Sequence, residues 1–148
     1  MSPETHDTLV IESRLAELGR VERWLAGLFQ DWKVPPETQF AVDLVINEAV
    51  TNVIGYAHPE DPTRETLISL TDRPDAILVE IIDTGAAFNP LDAPEMIASR
   101  DLDEASIGGR GIHLIKSFSD DYSYSRVSGQ NRLTLAIHKK GCPLSHCL

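Results

Sequence analysis

The chain has 148 residues, one domain by size and enough for a sheet covered by helices around a real core. Its 13 basic and 23 acidic residues leave a net charge of -10, which argues against nucleic acid as the main partner. A nucleotide stays possible, because phosphates need only a few backbone N–H groups and perhaps a cation. No uncharged apolar run reaches the ~18 residues of a membrane span. The opening MSPETHDT has neither the basic nor the apolar region of a signal peptide, and two cysteines as close as Cys142 and Cys147 make no disulfide framework, so a reduced cytoplasmic chain is the simpler expectation.

In chain order, His6 to Glu12 reads as a first strand, with Leu9 and Ile11 on one face and Val10 on the other. Leu15 to Trp32 follows as a helix with Leu15, Leu18, Val21, Leu25, Leu28 and Phe29 at helical spacing, and Ser13 or a neighbour is placed to cap it. Pro35-Pro36 break that helix, and Pro36 is suited to open the next, with Glu37 in its first turn. The stretch from Phe40 to His58 is the centre of the sequence. Its stripe of Phe40, Leu44, Val45, Ala49, Val50 and Val53 predicts a helix facing a core. Glu48 and Asn52 lie four apart and leave the same side of that helix, and Asn47 is a third polar group. A carboxylate and a carboxamide so placed are oxygen donors of the type Mg2+ uses beside substrate phosphates. The same pair also reads as a helix face turned to water. His58-Pro59 and Pro62 close the element.

Arg64 to Thr71 and Ala76 to Asp83 are strand-like and joined by Arg73-Pro74-Asp75, which predicts an antiparallel hairpin. The second is apolar nearly throughout, as an inner strand would be, and ends at Asp83-Thr84-Gly85. Ala86 to Ile107 is irregular, with Asp101, Asp103 and Glu104; a segment this long with little periodicity is usually functional. Gly108-Gly109-Arg110-Gly111 then opens a helical run of Ile112, Leu114, Ile115 and Phe118. Asp120 to Val127 and Arg132 to Lys139 form a second hairpin through Ser128-Gly129-Gln130-Asn131. Cys142 and Cys147 sit near the C-terminus with His146. With His138 they approach zinc spacing, but a tail over 141–148 with incidental thiols is the simpler expectation. The element order predicts an α/β sandwich in two layers, with a mixed, mostly antiparallel sheet and helices on one face. There is no βαβαβ series for a Rossmann sheet and no Gly-Lys-Ser or Gly-Lys-Thr for a P-loop.

Three features call for one explanation: the Glu48/Asn52 pair, Asp83 at the end of a buried strand, and the glycine cluster opening a helix. Asp83 is costly to bury unless something donates to it, as the exocyclic amine of adenine would, and Gly85 leaves room for a flat ring. Gly108, Gly109 and Gly111 suit a phosphate cradle at a helix start, with Arg110 adding a charge-assisted contact.

In this order the motifs resemble the ATP-binding domain shared by gyrase, Hsp90, sensor histidine kinases and MutL. Within that superfamily the chain is most similar to the bacterial anti-sigma factor serine kinases of the RsbW and SpoIIAB type. NEAVTN (Asn47 to Asn52) matches the helix motif called the N box, and IIDTGAAFNP (Ile81 to Pro90) the adenine segment. GGRGIHLIKSFSDDYSY (Gly108 to Tyr124) matches the phosphate segment and its helix, and NRLTLAIHK (Asn131 to Lys139) the closing strand. The likeness spans about His6 to Lys140. It implies that Asn52 is the Mg2+ ligand and Glu48 the general base or water-orienting group. It further implies that Asp83 binds the adenine amine, Gly85 lines the base pocket, Gly109 and Gly111 wrap the phosphates, and residues 86–107 form a lid over ATP. Members of the family pair as homodimers, bind a sigma factor, and phosphorylate a serine on a small antagonist protein. The alternative is an ATP-dependent binding switch with little phosphotransfer, controlling a phosphatase or another signalling partner. This sequence departs from the family pattern at Ala87, where many relatives have a second glycine. It also lacks the basic residue many relatives place near Gly55 or Tyr56.

Overall fold

The computed structural model describes residues 5–57, 61, 63–87, 89 and 110–139. Strand β1 (Thr5–Glu12) leads through a single 3-10 turn (Leu15–Glu17) into helix α1 (Leu18–Trp32), and α2 (Pro36–Asn52) runs on into a π-helical turn (Val53–Ala57). The hairpin β2 (Glu65–Asp72) and β3 (Ala76–Asp83) follows, then α3 (Arg110–Phe118) and the hairpin β4 (Asp121–Val127) and β5 (Gln130–His138). The five strands lie in the order β1-β2-β3-β5-β4, and each described pairing is antiparallel.

Alternation decides which sheet face is covered. Ile11, Ile68 and Leu70, Ile77, Val79 and Ile81, and Leu133, Leu135 and Ile137 share one buried cluster with Val21, Leu25, Val42, Val45, Ile46 and Val50 from α1 and α2. Helices therefore cover one face, giving the two-layer α/β sandwich that the pattern predicts. Pro36 sits in the first turn of α2 with Glu37 beside it, as the sequence suggests. The start of α1 differs. Neither Arg14 nor Glu17, the residues before the two helical segments, makes a side-chain cap bond. Instead the Glu17 carboxylate accepts the Glu12 N–H at 2.8 Å and the Arg20 guanidinium at 3.0 Å, so it pins β1 rather than capping. Phe40 also departs from the expected stripe: it is 62% exposed. The inward face of α2 is Val42, Val45, Ile46, Ala49 and Val50, continued by Val53 of the π-helical turn, and Phe40 stands at its edge, edge-on to Phe118 with ring centroids 5.8 Å apart.

The β4–β5 turn is a two-residue loop, with Ser128 at φ 52° and Gly129 at φ 78° between the Val127–Gln130 pair. Both positive angles match the twist of the flanking strands. Nothing lies within 4 Å of where a Cβ on Gly129 would stand, so a side chain there meets only backbone strain. Gly129→Ala should therefore lower stability by about 1 kcal/mol, read as a shifted urea midpoint with unchanged slope. An unshifted midpoint would contradict this turn geometry.

Candidate functional site

Period-2 alternation carries the covered face of β3 from Ile77, Val79 and Ile81 to Asp83, and that of β5 from Ile137, Leu135 and Leu133 to Asn131. The two polar residues pair across the strands, 3% and 4% exposed, at the end of an otherwise apolar sheet face. Burying them requires hydrogen bonds, and the structure supplies them. Asp83 Oδ1 accepts the Gly85 N–H at 2.8 Å and Asn131 Nδ2 at 2.9 Å. Asn131 Nδ2 also donates to the Ala86 carbonyl at 2.8 Å, while its Oδ1 accepts from Tyr124 OH at 2.5 Å and Arg126 Nη1 at 3.1 Å. Arg126 reaches the Gly85 carbonyl at 2.8 Å, and Arg64 from the other side holds the Thr84 carbonyl at 2.8 Å. The Asp83-Thr84-Gly85 corner is thus gripped from both flanks.

Above this corner sits the C-terminal half of α2. Ala49 and Val53, with Ile81, Leu133, Asp83, Asn131 and Tyr124, line a narrow cavity of about 10 Å³, the room of roughly one water. Asn52, the last residue of α2, is 2% exposed, and its Nδ2 has no hydrogen-bond partner among the described residues. An unpartnered buried amide is costly, about 1–3 kcal/mol, and either end of the carboxamide can be turned to that position. Glu48 is half-buried one turn earlier on the same helix. Thr51 Oγ1 donates back to the Asn47 carbonyl at 2.7 Å, and directly after Asn52 the helix widens into the π-helical turn. Such turns recur at functional sites because they redirect the side chains beyond them.

Helix α3 packs along α2, and the Phe118–Phe40 contact sets its C-terminal end against the N-terminal part of α2. The expected helix does open at the glycine cluster, although Gly108 and Gly109 lie outside the described residues. So do the segment 86–107, apart from Ala86, Ala87 and Asn89, and Cys142, His146 and Cys147. Among the described residues no group of three or more His, Cys, Asp or Glu could hold a metal ion. No described helix is long and apolar enough to cross a membrane.

A roomier groove of about 780 Å³ runs between α1 and α2, with Phe29, Phe40, Glu22 and Asp43 in its walls. Partial desolvation, reinforced by the Glu22 carboxylate, raises the Asp43 carboxyl above its ordinary value although the residue stays exposed. Asp83 and Asn52 are not among the residues lining it, and its acidic walls would repel phosphate. Of the residues singled out in the sequence, Asp83 lines the smaller cavity and not this groove.

The residues fit a purine nucleotide and a hard cation in kind. Asp83 is an acceptor at the end of a wall of apolar Ala49, Val53, Ile81 and Leu133, the kinds of group a purine meets, while the cavity between them has the room of about one water rather than of a ring. Asn131, Tyr124, Arg126 and Arg64 are the site residues the sequence reading passed over. The signal for Asn131 was available: counting back by twos from Ile137 places it on the apolar face.

The sequence profile described as the histidine kinase-like ATPase domain matches residues 11–137. The serine/threonine-protein kinase BtrW of Bordetella bronchiseptica is 29% identical over 138 residues, spanning 93% of this chain and 96% of that protein. The serine-protein kinase RsbW of Bacillus subtilis is 28% identical over 100 residues, 65% of this chain and 61% of its own length. Among solved structures, the RsbU and RsbW domains of a Mycobacterium tuberculosis protein superpose with a TM-score of 0.58 at 13% identity, a likeness of fold that spans 94% of this chain and 34% of that one.

Proposed function

The chain belongs to the histidine kinase-like ATPase domain family, and on that premise we propose that it is an ATP-dependent protein serine kinase and anti-sigma-type regulator. In this reading it phosphorylates a small antagonist protein on serine and sequesters a sigma factor or similar partner, as a cytoplasmic homodimer. A single ATP-binding domain over about 6–140, followed by a tail, carries the activity. The observation that supports it most is the buried carboxylate Asp83 at the end of an apolar cavity lined by Ala49 of α2, the helix that ends in the buried amide Asn52. The relatives that match are protein kinases by name, and BtrW matches over nearly its whole length.

Asp83 accepts the adenine amine, with Gly85 at the edge of the ring. Gly108, Gly109, Arg110 and Gly111 hold the phosphates at the start of α3, since a helix N-terminus favours anions. Asn52 is the residue that would hold Mg2+, which when bound neutralises phosphate charge. Glu48, one turn away, accepts the proton of the attacking serine hydroxyl or orients it.

The test is incubation with γ-labelled ATP and a small antagonist-type protein encoded beside this chain, followed by mapping of the label. Label on one serine of that protein supports the kinase. ATP binding with no phosphoprotein product favours the binding switch, and no ATP binding ends both readings.

Asn52→Ala should keep the fold, because it removes a buried amide whose Nδ2 has no described hydrogen-bond partner, and lose most of the Mg2+-dependent gain in ATP affinity. Titration of ATP with and without Mg2+ against both forms reads this directly. An unchanged Mg2+ dependence in the variant removes Asn52 from the role.

A further inference from the structure

Every hydrogen-bonding valence of the Asn131 amide is used inside the protein. A carboxamide has two N–H donors and two acceptor lone pairs. In Asn131 the donors go to Asp83 Oδ1 at 2.9 Å and the Ala86 carbonyl at 2.8 Å, and the oxygen accepts from Tyr124 OH at 2.5 Å and Arg126 Nη1 at 3.1 Å. Turned over, the amide would set its oxygen against a carboxylate and a carbonyl, and its NH2 against a guanidinium. One orientation is therefore fixed, and Asn131 keeps nothing to offer a ligand.

The same bonds fix Asp83. Its Oδ1 receives Asn131 Nδ2 and the Gly85 N–H together, so rotation of the carboxylate breaks two hydrogen bonds at a buried place. Arg126 Nη1 also donates to the Gly85 carbonyl at 2.8 Å, which ties the corner after β3 to the β4–β5 hairpin. Resting on the adenine-nucleotide reading, we propose that Asn131 is a positioning residue, locked by Tyr124 and Arg126, that aims the Asp83 carboxylate and so sets selectivity for a 6-amino over a 6-keto purine. A fixed carboxylate accepts from an amino group and opposes a keto oxygen. A carboxylate free to turn can swing away from the keto oxygen, and the discrimination weakens.

The test uses the full chain as the normal protein, Asn131→Ala and Tyr124→Phe. Two quantities are read: hydrogen exchange of the Gly85 amide without nucleotide, and affinities for ATP and GTP in Mg2+. Asn131→Ala should speed Gly85 exchange at least ~10-fold and reduce the ATP-over-GTP preference roughly 10-fold, and Tyr124→Phe should do both to a smaller degree. Unchanged Gly85 exchange in both variants overturns the brace. Faster exchange with an unchanged nucleotide preference overturns the selectivity role, since a merely structural residue would behave that way. If Asn131→Ala does not fold, Tyr124→Phe, which deletes one hydroxyl, carries the same two readouts. Failure of the normal chain to bind ATP ends the adenine reading and the selectivity role together, while the exchange rates still decide the brace.

Discussion

Glu48→Gln should bind Mg-ATP within a fewfold of normal and transfer phosphate to a serine at least ~100-fold more slowly. The substitution keeps size and hydrogen-bonding shape on α2 and removes only the basic carboxylate. Glu48 is half-buried one turn before Asn52, so both side chains leave the same side of α2. Nothing in that role holds the nucleotide in the ground state, so the loss belongs to turnover rather than to affinity. Single-turnover phosphorylation on matched, folded samples, with nucleotide binding measured beside it, separates the two. Full transfer by Glu48→Gln would end the base assignment even where the kinase reading survives.

Asp83→Asn should weaken ATP binding about ten- to a hundredfold, the cost of roughly 1–3 kcal/mol for donors left facing each other. The structure sharpens the reason. Asp83 Oδ1 already accepts from the Gly85 N–H and Asn131 Nδ2, so in the variant the carboxamide oxygen takes that place and its NH2 faces the base. An NH2 there opposes the adenine amine and matches the keto oxygen of guanine. The preference should therefore move toward GTP, not only fall. Titrations of both nucleotides against both proteins test this, and a parallel loss for ATP and GTP would place Asp83 outside base recognition.

Much of the sheet was legible because its signals are local. The β2–β3 hairpin follows from two alternating runs around Arg73-Pro74-Asp75, where Arg73 N–H closes onto the Ala76 carbonyl at 2.9 Å. The α2 stripe was legible as a helix but not in its rotation. Phe40 fits an apolar spacing equally well, and only packing against β3, β5 and α3 selects the face centred on Val42, Ile46 and Val50. At the start of α1, Glu17 serves the β1 backbone, a contact made by tertiary approach that local sequence does not show. Asp83, Gly85 and Asn52 could be singled out because each is a polar or glycine residue breaking an apolar pattern. Their support could not, since Asn131 stands 48 residues from Asp83 in sequence and meets it only through the β3–β5 register.

The most direct measurement is equilibrium binding of ATP and GTP to the normal chain, with and without Mg2+. One ATP site per chain that tightens when Mg2+ is present is expected, with GTP at least ~10-fold weaker because a keto oxygen offers the Asp83 carboxylate no donor to accept from. Equal affinity for the two nucleotides, or no binding of either, would contradict that expectation.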